Sequence, residues 1–452
     1  MITNNASSKG KWSSRFGFIL AATGAAVGLG NIWKFPYITD QNGGGAFVLV
    51  YLLCVLLIGI PLMISELSLG RRAGKSPVNA LLDLARESAA SRWWWLVGMM
   101  GVLAGFLILS YYSVVAGWTL VYAIKMITGV FWTMDAGEIG GVYEQLIADP
   151  VQLLFWHSLF ISVIMWLVAQ GVQDGLERAV RFMMPALFGL LLLLVSYSLL
   201  VGDSAQAITF LFSLEFDKVS GEGVLIALGQ AFFSIGLGMG MLIMYGAYLP
   251  KDVAIAESSF MIAAADTIVA LLAGLAIFPI VFANQLEPGS GAGLIFQTLP
   301  IAFAQMPLGS LFGFLFFLLL VFAALSSSIA LIEPAVRWLM ESSRLSRADA
   351  CLYSGIAVWL TGIVTALSFN EWSDIRVLDK NLFELIDYLT SNIMLPLGGI
   401  LIAIFTGWVV KQSLLSEETL MSRPAFSLWI SLVKYIVPIA IFAVLLNVIG
   451  LF

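Results

Sequence analysis

Two isolated polar side chains lie in long apolar runs, where groups that carry charge or a strong dipole are costly. Asn31 follows the stretch GAAVGLG, and Asp266 is the only charged residue in FMIAAADTIVALLAG. Such groups are retained inside a membrane where they pair with a ligand, an ion or another polar group. Ser326, Ser327 and Ser328 add three hydroxyls in ALSSSIAL. Carboxylate, amide, hydroxyl and carbonyl oxygens together predict a site for a hard cation of low charge.

Other polar residues in the apolar runs have simpler interpretations. Serine hydroxyls commonly donate to a carbonyl of their own helix, so the three serines alone do not establish an ion site. We expect Glu66 and Glu333 to be buried hydrogen-bond partners rather than ion ligands. The single histidine, His157, has no second His or Cys nearby in the sequence and is predicted to be a packing residue. Cys54 and Cys351 lack a metal-type spacing, and we interpret both as core residues.

The composition predicts that these residues are positioned by a membrane protein with many spans. Of 452 residues, 60% are hydrophobic and only 11% are charged, whereas about a quarter of the residues of a soluble domain are charged. The few charges form no basic patch, and we expect no nucleic-acid partner. Apolar runs of the roughly 20 residues that cross a bilayer recur along the chain. They give eleven predicted spans, at 15–38, 45–70, 93–126, 153–171, 178–201, 224–249, 254–283, 308–340, 349–369, 383–411 and 426–450.

Glycines are closely spaced in two of these spans. They are Gly24, Gly28 and Gly30 in the first span and Gly236, Gly238 and Gly240 in the sixth. Each costs a helix roughly 1 kcal/mol relative to alanine. One interpretation is close helix packing through GxxxG spacing. The other is that both helices unwind at mid-membrane around a polar cavity, which is favoured because the two spans are equivalent members of two five-span halves.

The distribution of Lys and Arg predicts the orientation of the spans. With a cytoplasmic N-terminus, the inner segments contain seventeen Lys and Arg and the outer segments five. Positive residues accumulate on the cytoplasmic side, so we expect an N-terminus inside and, with eleven spans, a C-terminus outside. The predicted parts are a cytoplasmic segment 1–14, a first repeat 15–201, an outer loop 202–223, a second repeat 224–411, and a last part 412–452 with the eleventh span. We expect NQLEPGSGAGLIFQTLPIAFAQM, after the seventh span, to be a partly helical outer loop.

Several motifs, taken in order, resemble one family of transporters. They are GAAVGLGNIWKFPY, NGGGAFVLVY, GIPLMISELSLGR, the pair YY in the third span, GQAFFSIGLGMG and ALSSSIAL. Over roughly residues 9–412 the chain resembles the neurotransmitter:sodium symporter family in its bacterial amino-acid branch. The resemblance implies a five-plus-five inverted repeat and sodium-coupled import of amino acids by alternating access.

The resemblance also implies roles for individual positions. A first sodium ion is expected at the Ala26 carbonyl, the side chains of Asn31, Ser234 and Asp266, and the substrate carboxylate. A second is expected at the carbonyls of Gly24, Val27 and Ala323 and the hydroxyls of Ser326 and Ser327. The substrate site is expected to comprise Ala26, Leu29, Gly30, Ile108, Tyr112, Phe233, Ser234, Gly236, Met239, Ser327 and Leu331. The outer gate is expected at Lys34 and Asp387, and the inner gate at Lys9, Trp12, Tyr248 and Glu341.

Three departures from the family pattern bear on the substrate and ions. Gly28 stands where monoamine-transporting members have an aspartate that replaces the substrate carboxylate, so we expect whole amino acids. Asp266 stands where many members have asparagine beside a chloride ion, so we expect that chloride is not required. Lys34 replaces the usual arginine and loses bidentate geometry, which predicts a weaker outer gate.

The expected pocket side chains favour large hydrophobic amino acids such as Leu, Ile, Phe, Tyr or Trp. Ile108 and Leu331 are apolar, Gly236 leaves space, and Met239 is flexible. The alternative is that Met239 is an ordinary packing residue.

We expect a bacterial plasma membrane, two sodium ions and no organic cofactor, with the amino acid and the bilayer as partners. No nucleophile–base pair or metal cluster indicates an enzyme, while a sodium-dependent sensor or a channel-like protein and the oligomeric state stay open.

Overall fold

The computed structural model describes residues 11–286 and 291–448, and most of them are helical. The first half of the chain forms α1 (Arg15–Ala26), α2 (Gly30–Gln41), α3 (Gly45–Ala73), α4 (Pro77–Glu87), α5 (Arg92–Ile127), α6 (Ala136–Ala148), α7 (Pro150–Ala169) and α8 (Val172–Val201). The second half forms α9 (Ser204–Phe212), α10 (Gly221–Ile235), α11 (Met241–Ala247), α12 (Ile255–Ala283), α13 (Leu294–Gln305), α14 (Gly309–Ser343), α15 (Arg347–Leu367), α16 (Leu382–Val409), α17 (Gln412–Thr419) and α18 (Arg423–Val448). Within these ranges the only strand-like feature is an isolated bridge between Val377 and Lys380. The prediction of an all-helical protein is confirmed.

Most of the helices are membrane spans by length and composition. In the described part of the chain, nine helices are long and apolar enough to cross a membrane, and the pair α1 and α2, bent by 55°, adds a tenth. The predicted sixth span is instead two short helices, α10 with 15 residues and α11 with 7, separated by an unwound segment at 236–240. Counting α10 and α11 as one crossing stays a prediction, and so does the total of eleven.

Two of the predicted spans are interrupted at their glycine-rich positions. After α1 ends at Ala26, Val27 has an extended backbone with φ −68° and ψ 101°. After α10 ends, Gly236, Gly238 and Gly240 have φ angles of +73°, +79° and +72°. Glycine adopts such left-handed angles without the steric cost that other residues incur, so the alternate glycines allow the break. The prediction that the first and sixth spans unwind is confirmed.

A buried carboxylate stabilises the second break. Glu66 on α3 is fully buried, and its Oε1 accepts a hydrogen bond of 2.7 Å from the N–H of Gly238. A backbone group that is released from a helix inside a membrane protein needs another partner, and Glu66 supplies one. Glu66 is a buried hydrogen-bond partner, as predicted.

Close packing brings α5 against the unwound segment at 236–240 and against α14. A Cβ atom at Gly105 would lie 3.0 Å from the carbonyl oxygen of Leu331 on α14. A Cβ atom at Gly101 would lie 3.1 Å from the backbone nitrogen of Gly240 in the unwound segment. Small residues let helix backbones approach one another in membranes. The two α5 residues predicted for the substrate site therefore lie beside the unwound segment and α14.

The histidine and the cysteines belong to the packed interior. His157 is fully buried, with Nδ1 3.0 Å from the hydroxyl oxygen of Ser113 and Nε2 3.2 Å from the carbonyl oxygen of Trp359. Because a carbonyl only accepts, Nε2 carries the proton and Ser113 donates to Nδ1. Cys54 and Cys351 are buried and not disulfide-bonded. The predictions of a packing histidine and core cysteines are confirmed.

Capping residues define two helix starts in the connection between α5 and α7. Asp135 and Glu138 form a capping box at the start of α6. At the start of α7, Asp149 accepts hydrogen bonds from the backbone N–H groups of Val151 and Gln152, both at 3.0 Å. The backbone N–H of Gln152 holds the pKa of Asp149 below its ordinary value, because its hydrogen bond favours the ionised carboxylate.

Arg71 and Glu418 form a buried ion pair between α3 and α17. Arg71 Nε donates to Glu418 Oε2 at 3.1 Å, and the two side chains are 1% and 4% exposed. Arg71 Nη1 also donates to the carbonyls of Pro250, at 3.3 Å, and Val253, at 2.5 Å. Lys251 donates to Glu418 Oε1 at 2.5 Å. The pair therefore connects α3, α17 and the segment between α11 and α12.

Replacing Arg71 by alanine is expected to lower the melting temperature of the purified protein in detergent. Removing one partner of a buried ion pair costs about 3–5 kcal/mol, because the other charge stays buried with fewer partners. Arg178→Ala is the matched control, since the pair of Arg178 with Asp174 is 73% and 60% exposed and such pairs contribute about 0.3–0.5 kcal/mol. Equal shifts in the two variants would contradict a special role for the buried pair.

Candidate functional site

Four helices meet around the carboxylate of Asp266, which lies fully buried on α12. Asn31 Nδ2, from α2, donates to Asp266 Oδ1 at 2.7 Å and to Ser234 Oγ, from α10, at 2.9 Å. Ser234 Oγ donates to Asp266 Oδ2 at 2.6 Å, and the Tyr51 hydroxyl of α3 lies 3.5 Å from the same oxygen. Within residues 11–286 and 291–448, no Lys, Arg or His forms an ion pair with Asp266. This cluster brings together the three side chains that the sequence predicted for a first sodium ion.

A second oxygen cluster joins the broken end of α1 to α14. Ser327 Oγ donates to the carbonyls of Gly24, at 3.3 Å, and Val27, at 3.1 Å. Ser326 Oγ donates to the carbonyl of Ala323 at 3.1 Å, which is the bond within one helix that serines commonly make. All five positions predicted for a second sodium ion therefore lie in one place, and they offer only carbonyl and hydroxyl oxygens.

The oxygen donors of both clusters fit sodium rather than a transition metal. Carboxylate, carbonyl and hydroxyl oxygens suit hard cations. In the part of the chain that the structure describes, no group of three or more His, Cys, Asp and Glu could hold a metal ion. The first cluster supplies one negative charge and the second supplies none, which suits a monovalent ion.

A small cavity lies between the two breaks and the helices α5 and α14. Its volume is about 40 Å³, and because one water needs roughly 10–15 Å³ of such space, its walls must move apart to admit an amino acid. All eleven residues predicted for the substrate site line it. Four further residues line it as well, namely Ala25, Gly28, Asn31 and Met241.

The polar end of the cavity is formed by backbone groups at the start of α2. The N–H of Leu29 donates to the Tyr112 hydroxyl oxygen at 3.1 Å. A Cβ atom at Gly28 would lie 3.0 Å from Ser327 Oγ and 3.1 Å from the Tyr112 hydroxyl oxygen. Glycine at this position therefore keeps the polar end open. The N-terminus of a helix favours anions, because its N–H groups are unpaired and its dipole is positive there.

Met241 and the small Ala25 are the apolar lining residues that the sequence did not predict, and Met241 is the larger of the two. It is the first residue of α11, and its ε-methyl group lies where a side chain at Gly236 would begin. The motif GLGMGM contains a second methionine directly after the last glycine. Its position beside the predicted break is the sequence signal that indicates a lining residue. The thioethers of Met239 and Met241 both line the cavity.

The two residues predicted for the outer gate do not form an ion pair in this structure. Lys34 Nζ lies over the ring of Phe233, 4.7 Å from its centroid. The Asp387 Oδ1 atom accepts hydrogen bonds from the hydroxyls of Tyr111 and Ser391, each at 2.9 Å. The described salt bridges do not include one between Lys34 and Asp387. Their role as a gate stays a prediction.

At the opposite end, the segment before α1 packs against the end of α11. Trp12 Nε1 donates to the carbonyl of Tyr245 at 3.1 Å, and the Trp12 N–H donates to the carbonyl of Tyr248 at 3.2 Å. The Trp12 ring also makes an edge contact with the ring of Tyr245, at 5.1 Å between centroids. Lys9, also predicted for the inner gate, lies outside the described residues.

The remaining inner-gate residues, Tyr248 and Glu341, belong to separate networks. The Tyr248 hydroxyl donates to Glu333 Oε1 at 2.5 Å, and Arg347 Nη2 donates to Glu333 Oε2 at 2.6 Å. Glu341 Oε1 instead accepts from Arg337 Nε at 2.8 Å. Glu333 is a buried hydrogen-bond partner, as predicted. The partner of Tyr248 is Glu333, which the sequence did not indicate.

Comparison with known proteins identifies the class that this fold and these clusters define. The model of the sodium:neurotransmitter symporter family matches residues 9–137 and 130–452. The chain belongs to this family and is a membrane transporter, not an enzyme.

Individual relatives are similar over nearly the whole chain. An uncharacterized sodium-dependent transporter of Bacillus subtilis, YhdH, is 39% identical over 445 residues, which are 98% of both chains. An uncharacterized sodium-dependent transporter of Haemophilus influenzae is 34% identical over 457 residues, which are 99% of both chains. The crystal structure of MhsT in complex with L-phenylalanine has a TM-score of 0.90 and 43% identity, and the match covers 97% of this chain and 99% of MhsT.

Proposed function

We propose that this protein is a sodium-coupled symporter that imports large hydrophobic L-amino acids by alternating access. The observation that carries the proposal is the cavity at the two helix breaks. None of its fifteen lining residues is charged, one end is formed by backbone polar groups, and the rest is largely apolar. Such a cavity suits a ligand that brings its own two charges and an apolar side chain. The binding of L-phenylalanine by the similar MhsT supports this substrate class.

The charges of the bound amino acid are met by helix ends. Its carboxylate lies at the N–H groups of Leu29 and Gly30, at the positive end of α2, and at the Tyr112 hydroxyl. Its ammonium group lies at the carbonyl ends of α1 and α10, at Ala26 and Ser234. The absence of a side chain at Gly28 leaves space for the carboxylate, which argues for amino acids rather than amines.

Two sodium sites accompany the substrate site, one at each oxygen cluster. The first site comprises Asn31, Ser234 and Asp266 with the Ala26 carbonyl, and the charge of Asp266 compensates that of the ion. The Asp266 carboxylate also makes chloride unnecessary, because it already balances the positive charge of the first sodium ion and no mobile anion has to do so. The second site is formed by the carbonyls and serine hydroxyls between α1 and α14. No organic cofactor takes part.

We place the protein in the plasma membrane of a bacterium, with the N-terminus in the cytoplasm and the C-terminus outside. Support comes from the excess of Lys and Arg in the segments that are then cytoplasmic. The two repeats, 15–201 and 224–411, alternate access to the site between them. Lys34 and Asp387 close the outer side, while Lys9, Trp12, Tyr248 and Glu341 close the inner side.

Uptake of labelled leucine or tryptophan into proteoliposomes tests this function. An inward sodium gradient is expected to drive accumulation, potassium is expected to give none, and replacement of chloride by gluconate is expected to have no effect. Excess tryptophan, but not glycine or glutamate, is expected to compete. Uptake without sodium would refute the symporter, and chloride dependence would refute the role of Asp266. Sodium-dependent binding without accumulation would indicate a sensor, and flux that does not saturate would indicate a channel.

A further inference from the structure

The side-chain amide of Asn31 donates hydrogen bonds on one side and accepts one on the other. Its Nδ2 donates to Asp266 Oδ1 at 2.7 Å and to Ser234 Oγ at 2.9 Å, and it lies 3.4 Å from the Asp266 carbonyl oxygen. Its Oδ1 accepts from the backbone N–H of Gly28 at 3.1 Å. Asn31 is only 1% exposed. One buried side-chain amide therefore links the Asp266 cluster to the backbone that lines the substrate cavity.

In this arrangement the Asn31 N–H₂ group faces Asp266 and Ser234. A cation bound between these oxygens would need the amide oxygen of Asn31 on that side instead. A cation and an N–H₂ group are both positive partners for Asp266 Oδ1 and Ser234 Oγ, so they compete for the same two oxygens. Asn31 can serve as an ion ligand only through Oδ1, because an amide nitrogen has no free acceptor site. Its last torsion has broad, roughly two-fold preferences, so the amide can turn within the same volume.

Turning the amide changes the hydrogen bonding of Gly28. With Oδ1 directed at the cation, Nδ2 faces the Gly28 N–H, and two donors then meet. A buried N–H without an acceptor is costly. Gly28 lines the cavity next to Leu29, whose N–H already points to the Tyr112 hydroxyl. A carboxylate in the polar end of the cavity would supply the acceptor that Gly28 has lost.

We infer that the Asn31 amide is the switch that couples the first sodium ion to the substrate. Sodium at the Asp266 cluster turns the amide, which releases the Gly28 N–H to the substrate carboxylate. By linkage, bound substrate stabilises the turned amide and raises sodium affinity by the same factor. The inference rests on the proposed function. It adds a coupling path through the protein to the direct contact between the first sodium ion and the substrate carboxylate that the family resemblance implies.

Hydrogen exchange of the Gly28 amide tests the turn directly in the unmodified protein. Labelling valine carbonyls with ¹³C and glycine with ¹⁵N restricts the NMR spectrum to Val–Gly peptide bonds, of which the sequence has three, at 27–28, 97–98 and 201–202. In nanodiscs, sodium alone is expected to speed exchange at Gly28, and leucine added with sodium is expected to slow it again. Gly98 and Gly202 serve as internal controls. A Gly28 amide that exchanges equally slowly in potassium and in sodium would overturn the inference.

A binding experiment provides a second readout. The ratio of leucine affinity in sodium to that in potassium is expected to fall at least about tenfold in Asn31→Ser, given couplings of roughly 5–150-fold. Asn42→Ser, on a residue that donates to the Ile38 carbonyl, is the matched control and should keep the wild-type ratio. An unchanged ratio in Asn31→Ser would overturn the inference. If sodium did not raise leucine affinity in the wild type either, the proposed function itself would fail.

Discussion

Replacing Asp266 by alanine is expected to abolish sodium-dependent uptake and to weaken sodium binding by roughly 10²–10⁴-fold. Asp266 is the only charged member of its cluster, is fully buried, and has neutral Asn31 and Ser234 as its neighbours. Removing one partner of a buried charge pair costs about 3–5 kcal/mol, and the neutral amide and hydroxyl do not replace the lost charge. The sodium dependence of labelled leucine binding, together with uptake into proteoliposomes, measures both effects.

Two further variants show whether such a loss is specific. Glu257→Ala changes an acid on the same helix, but its side chain is 61% exposed and pairs with Arg15 on the surface, so uptake is expected to stay close to the wild type. Asp266→Asn keeps the shape of the side chain and removes only its charge, and is expected to weaken sodium binding without unfolding the protein. Wild-type sodium affinity in Asp266→Ala would show that the first ion binds elsewhere.

Replacing Gly28 by aspartate is expected to abolish uptake of hydrophobic amino acids while the variant still binds sodium. A Cβ atom at Gly28 would lie 3.0 Å from Ser327 Oγ and 3.1 Å from the Tyr112 hydroxyl oxygen, so the new carboxylate would enter the polar end of the cavity. Two like charges 4 Å apart repel by about 4 kcal/mol at an effective dielectric constant of 20, which is roughly 10³-fold in affinity. Equilibrium binding and uptake of labelled leucine measure the loss.

The same substitution should favour ligands that have an ammonium group but no carboxylate. Phenethylamine is expected to bind more tightly to Gly28→Asp than to the wild type, because the protein now supplies the missing charge. Gly28→Asn, of nearly the same size, separates the effect of charge from that of volume. Normal leucine uptake by Gly28→Asp would place the substrate carboxylate away from the start of α2.

The position of the site could be predicted because it depends on local backbone chemistry. Glycines at alternate positions mark the break in the sixth span, and three of them have positive φ. Isolated polar residues such as Asn31 and Asp266 mark the ion cluster, because they are costly elsewhere in a membrane. The family motifs then assign the remaining lining residues. Met241 was missed because it directly follows the unwound segment, and without a helical period in that segment the direction of the next side chain cannot be read from the sequence.

Contacts between distant helices could not be predicted in the same way. Tyr248 donates to Glu333 rather than Glu341, although both acids lie on α14, and Arg347 at the start of α15 donates to the same carboxylate. Lys34 lies over Phe233, and Asp387 is bonded to Tyr111. These choices depend on how helices far apart in the sequence pack together. Residue type alone identifies candidates for such contacts but does not choose among them.

The small cavity between flexible methionines bears on how sharply a transporter of this kind could discriminate among its substrates. With about 40 Å³ of space, every hydrophobic amino acid must widen a cavity whose walls include the thioethers of Met239 and Met241, so a free energy of opening is common to all of them. Each added methylene then contributes about 0.8 kcal/mol at most. Selectivity among large apolar side chains should therefore be shallow. Glycine, which offers no side chain to offset the cost of opening, would be rejected far more strongly.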